Sequence, residues 1–176
     1  VRRTRARLAS TETADDVDWV TKTDLLSELD LTLESDAAGL WLRDVNVIAS
    51  PAQGIRDILD LMPTDTEQNW ADIAGRLKNL PGAVEGYIAT LQLGIERGIT
   101  PAKRQVREVI EQERKHGAGD GFFHNFTGGA ALAEGDVPAS LRADLATGAE
   151  VSAAAYARLA EFLTDELLPA ATEDDG

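Results

Sequence analysis

The side chains best suited to proton transfer or metal ligation near neutral pH are two imidazoles, His116 and His124, in a chain of 176 residues without Cys. Zinc needs three or four convergent ligands, and two His eight residues apart with only Asp120 between them do not supply a set. His116 falls in the last turn of a helical pattern, where the helix dipole favours a cation. His124 sits among aromatics and is either packed and hydrogen-bonded or the one candidate for a site. The acid pairs Asp57/Asp60 and Glu108/Glu111 lie at helical spacing and read as solvated charge, not as general acid and base. Gly117 to Gly121 and Gly128-Gly129 lack the G-x-x-x-x-G-K-[ST] pattern of a phosphate loop, and no Ser stands in G-x-S-x-G. No catalytic residue and no metal ligand is therefore assigned. The substrate-contact candidates are Phe122, Phe123, His124, Asn125 and Phe126, which share one Gly/Phe-rich segment.

Everything around these residues has helical period. Residues 15–38 read as a long first helix within an N-terminal helical segment, 1–39, closed by Gly39, although Leu29, Leu31 and Leu33 alternate in a way that also suits a strand. Ahead of it, Arg2, Arg3, Arg5 and Arg7 form an Arg-rich turn that should pair with the nine acids and single Lys of residues 12–36. The β-branched cluster Val45, Val47 and Ile48 suggests a buried connector or helix end over 40–49. A four-helix run over 50–116 follows. Ser50-Pro51-Ala52-Gln53 offers a cap, a first-turn Pro and a capping-box partner, and Ile55, Ile58, Leu59 and Met62 share a face. Thr64 and Glu67 offer a second box before Trp70, Ile73, Ala74 and Leu77. Asn79-Leu80-Pro81-Gly82 should break the chain, after which Val84, Tyr87, Ile88, Leu91 and Ile95 carry a helix ended by Gly98. Thr100-Pro101 opens the next, with Val106, Val109 and Ile110 inward. The pattern lapses over 117–137, a Gly/Phe-rich loop expected to be mobile. It resumes over 138–168 with Leu141, Leu145, Tyr156, Leu159, Phe162 and Leu167 inward and a Gly148 suited to a close crossing. The acidic tail after Pro169 is expected to fray. The expectation is one all-α domain over 1–176, a bundle of about six helices with a long loop before the last.

Composition narrows the partners. A net charge of −14 argues against nucleic acid, whose phosphates need a basic surface. No apolar run reaches the roughly 20 residues needed to span a bilayer, and the absence of Cys suits the cytoplasm. Because the chain starts at Val1 rather than Met, it is expected to be a fragment whose partner is the remainder of its own full-length chain.

The stretch Asp44-Val45-Asn46-Val47-Ile48-Ala49-Ser50-Pro51-Ala52-Gln53-Gly54-Ile55-Arg56-Asp57 resembles a characteristic segment of the bacterial family catalogued as domain of unknown function 885. Leu61-Met62-Pro63-Thr64-Asp65-Thr66, Trp70, Arg76-Leu77, Gly86-Tyr87, Gln105-Val106 and the Gly/Phe-rich loop follow in the matching order, so the resemblance spans nearly the whole chain. It implies a large, mostly helical protein similar to helical zinc peptidases of the carboxypeptidase or dipeptidase kind. The family's His-Glu-Ala-x-Pro-Gly-His run lies C-terminal to this region, and the chain contains no His-Glu dipeptide. The resemblance thus implies a non-catalytic helical portion forming part of a cleft wall for a peptide substrate, with no cofactor of its own and zinc held elsewhere in the full-length protein. The alternative is a free-standing helical interaction or scaffold domain without enzymatic activity.

Overall fold

Every element in the computed structural model is helical among the described residues, 1–173, apart from one isolated bridge between Ala102 and Thr172. The end of the acidic tail, 174–176, lies outside them. The chain divides into two compact units, Val1–Leu42 and a second from Arg43 onward.

The first unit is a hairpin of α1 (Arg2–Ala9) and α2 (Asp16–Ala37). The Arg-rich stretch expected as a turn is a two-turn helix. Its Arg5 does pair with the acidic face, donating Nε to Asp30 Oδ1 at 2.8 Å. Asp15 caps α2 by accepting from Asp18 N, and Gly39 ends it at φ 69°, a left-handed conformation that favours glycine. A 3-10 turn, Leu40–Arg43, closes the unit.

The connector that follows in the second unit is only partly buried: Val45 is enclosed, Val47 half-buried and Ile48 83% exposed. Asn46 explains the turn-out. Its Oδ1 accepts from Ile48 N and Ala49 N at 3.0 and 2.8 Å, and this local bend points Ile48 to solvent. Helix α3 (Pro51–Asp57) starts at the expected box, with Gln53 Oε1 accepting from Ser50 N and Oγ. It then tightens into a 3-10 turn, Ile58–Leu61, which rotates Ile58 away from the expected apolar face. The second capping box is built by Thr66 and Asn69, two residues beyond the Thr64 expected from the sequence.

The largest correction concerns Pro81. Residues 67–97 form one helix of 31 residues, α4 (Glu67–Arg97), with Pro81 inside it. Proline has no N–H for the carbonyl four residues earlier, which would leave Leu77 O unpaired in the core. Ser152 Oγ, fully buried on α7 (Ala139–Phe162), donates to Leu77 O at 3.0 Å. Tertiary contact thus repairs the bond that sequence removes, and the expected four-helix run has one helix fewer. Gly148 makes this approach feasible, since a Cβ there would lie 2.8 Å from Leu77 Cβ. Ser152→Ala should leave Leu77 O unsatisfied and lower stability by about 1–3 kcal/mol, readable in urea unfolding. A loss below about 0.3 kcal/mol would mean that Pro81 is tolerated for another reason.

Helix α4 packs chiefly along α7, with α5 (Lys103–His116) and α6 (Phe122–Gly128) on the same partner. Gly98 ends α4 at φ 67°, as expected. The core expectations hold: Trp70, Ile73, Leu77, Ile88, Leu91, Val106, Ile110, Leu159 and Phe162 are all buried. Beyond Phe162 the last helix widens into a π turn, Leu163–Leu167, before α8 (Leu168–Ala170). Lys103 N donates to Thr172 O, and Thr172 N to Pro101 O, tying the chain's end to the start of α5.

Candidate functional site

The polar interior of the second unit is organised where α3, α5, α6 and α7 meet. On α5, Val106, Val109 and Ile110 are buried at helical spacing, and the next position on that stripe is Glu113. Its side chain has no solvent exposure, and Oε2 meets His116 Nδ1 at 3.0 Å. The other oxygen, Oε1, is enclosed without a hydrogen-bond partner. Burial pushes the Glu113 carboxyl upward, an effect that His116 and the nearby Arg56 guanidinium partly oppose. This enclosed carboxylate is a chemically notable group that no sequence motif marks. Its signal was present, as an acid on an apolar helical stripe.

His116 is the last residue of α5, as expected for a dipole-favoured position. Its ring lies edge-on to Tyr156 and Phe122, with centroids at 5.6 and 6.4 Å. Arg56 covers Phe122 with its guanidinium carbon 4.3 Å from the ring centroid and bonds Asp57 and Asp60 on its outer side. The acid pair Asp57/Asp60 is thus held as a counter-charge to Arg56.

The tyrosines are turned to structural use. Tyr156 Oη donates to Ala52 O at 2.8 Å and Tyr87 Oη to Asp44 O at 2.7 Å, and burial raises both phenols above their ordinary range. Amide side chains complete the stitching of this stretch. Gln53 Nε2 reaches Asn46 O and Gln112 Oε1, Gln112 Nε2 reaches Val47 O, and Gln105 Oε1 accepts from Val47 N. The Asp44–Asp57 stretch is therefore anchored to α4, α5 and α7.

The five substrate-contact candidates do not lie in a mobile loop. Phe122 to Phe126 sit in α6, a two-turn helix. The reason is spacing: Phe122, Phe123 and Phe126 fall at i, i+1 and i+4, so an apolar face forms between flanking glycines. Phe123 is fully buried against Tyr156, at 5.2 Å between centroids. Phe122 stacks on Phe126 at 5.4 Å, and Phe126 meets Trp70 at 5.5 Å. Asn125 Nδ2 donates to Asp120 O. His124 Nε2 lies 3.3 Å from Glu150 Oε1, and its Nδ1 is enclosed without a partner. The structure thus places His124 and His116 against different carboxylates, Glu150 and Glu113.

A shallow surface groove of about 330 Å³ runs beside the π turn, floored by Gly117, Ala157 and Ala160 and rimmed by Arg114, Glu161 and Asp165. Among the described residues no group of three or more His, Cys, Asp or Glu is placed to hold a metal ion. Nor, among the described residues, is any helix long and apolar enough to cross a membrane.

No curated protein matches the chain. A family model matches residues 1–176 throughout, and the chain belongs to the family described as "Bacterial protein of unknown function (DUF885)".

Proposed function

We propose that this chain is a non-catalytic helical wall of a metal-dependent peptidase of the carboxypeptidase or dipeptidase kind, with the metal held outside residues 1–176. One observation supports it above the others: the enclosed hydroxyls and the Glu113–His116 pair of the second unit are bonded to their own scaffold. Glu113 and His116 hold each other, while Tyr87, Tyr156 and Ser152 donate to backbone carbonyls of neighbouring elements. Such an arrangement stiffens a wall and commits these groups to packing rather than to proton transfer. A peptide lying along α6 would touch Phe122, His124, Asn125 and Phe126, which keep some exposure, and would not reach Phe123.

Metal analysis after dialysis and a dipeptide-release assay test the reading on two proteins. One is this chain; the other is the longer polypeptide carrying the family's His-Glu…His run. Stoichiometric zinc and turnover are expected in the longer polypeptide alone. Tight one-to-one zinc on this chain, or turnover by it that is lost in His124→Ala, would overturn the proposal. A second reading, a helical interaction or scaffold domain, is favoured by the exposed apolar side chains of α2. It gains if the longer polypeptide also lacks zinc and activity.

A further inference from the structure

Along the exposed face of α4 runs an open groove of about 640 Å³, lined by Met62, Ala71, Asp72, Gly75, Arg76 and Asn79. Its two charges stand in the order that favours an ion pair on a helix, an acid four residues ahead of a base. They do not pair. Gln68 Nε2 donates to Asp72 Oδ1 at 2.8 Å, and Arg76 makes no hydrogen bond or ion pair among the described residues. Between them Gly75 keeps the floor open, since a Cβ there would meet no atom within 4 Å. Met62 and Ala71 add an apolar wall beside these charges.

The charges select what fits. In a chain of net charge −14 a purely anionic guest is repelled before it reaches Arg76, whereas a zwitterion carries no net charge. Length narrows the choice further. Residues four apart on a helix are separated by about 6 Å along its axis. An extended dipeptide spans about 7 Å and so sets its ammonium and carboxylate at either end of that interval. A free amino acid carries both groups on one carbon and cannot meet both side chains at full extension.

We infer that this groove is a binding site for a free dipeptide, with its ammonium against Asp72 and its carboxylate against Arg76. The guanidinium fork takes the carboxylate through two parallel N–H bonds, and the open floor at Gly75 receives the peptide between them. The inference rests on the peptidase reading only for the source of the dipeptide. Binding is read on this chain without metal, so either can fail while the other stands.

Titration of the isotope-labelled chain with alanyl-leucine, followed by amide chemical shifts, tests it. Saturable shifts confined to Met62 and residues 71–79 are expected, with a Kd of about millimolar, ordinary for so small a ligand. N-acetyl-alanyl-leucine and alanyl-leucine amide should each bind at least about threefold more weakly, as the loss of one exposed charge pair allows. Leucine alone should bind more weakly than the dipeptide. Asp72→Asn should bind the free and acetylated dipeptides equally, and Arg76→Gln the free and amidated ones. Gly75→Leu should keep the helix, which leucine favours over glycine, and lose binding because its side chain stands in the groove. Absence of saturable shifts at 71–79, or binding indifferent to both blocked ends, overturns the inference. So does discrimination that survives Asp72→Asn and Arg76→Gln, or a Gly75→Leu chain that binds as the wild type does.

Discussion

Leu77→Ala is expected to cost about 2–5 kcal/mol of stability, the largest effect of any single truncation here. Leu77 is fully buried, its carbonyl takes the Ser152 hydroxyl in place of the missing Pro81 amide, and its Cβ would lie 2.8 Å from a Cβ added at Gly148. Removing the side chain opens a cavity at a crossing that cannot collapse further, because α7 already touches backbone there. Ile110→Ala, in the buried stripe of α5, should fall in the same range. Denaturant unfolding would read both. A loss well below 1 kcal/mol at each site would mean that these helical faces do not form the core.

Glu113→Gln should change how stability depends on pH. The folded-state carboxyl of Glu113 is raised by burial, so between its ordinary range and its folded value the native chain holds a proton that the unfolded chain has released. The stabilising contribution of the protonated form is therefore fully present at acid pH and is lost as pH rises through the folded value. Glutamine keeps the shape and a polar contact to His116 but carries no charge. The variant's stability relative to the wild type should therefore be greater near pH 8 than near pH 4. Paired urea titrations at the two pH values check this. An offset equal at both would show that the carboxylate bears no charge cost in the fold. The groups around it bound the effect: Arg56 and His116 favour the anion, while Asp57 disfavours it.

Local signals account for much of the architecture. Asp15, Ser50 and Gly98 mark helix ends because their preferences act within a few residues, and the structure uses each of them. The core stripes of α4, α5 and α7 were legible for a related reason. A period of 3.6 residues places one face inward whatever the partner turns out to be. The same logic, followed one position further, reaches Glu113. Its charge alone would class it with the solvated acids of the helix surface.

Where the sequence misled, a distant residue decided. Pro81 breaks a helix considered alone, but Ser152, 71 residues later, supplies the missing donor inside a dry interface, and continuity becomes the cheaper arrangement. The Gly/Phe-rich segment reads as a loop by composition. It orders as α6 because Tyr156 and Trp70 present surfaces on which Phe123 and Phe126 can pack. The sequence alone determined an all-helical chain, its main helix ends and its buried stripes, because these follow from backbone preference and apolar periodicity. Only the tertiary structure decided which polar groups meet: the Glu113–His116 pair, the hydroxyls on Leu77, Ala52 and Asp44, and the enclosure of Glu113 itself. Three of those four bonds span 43 to 104 residues, and no local preference specifies a partner at that range.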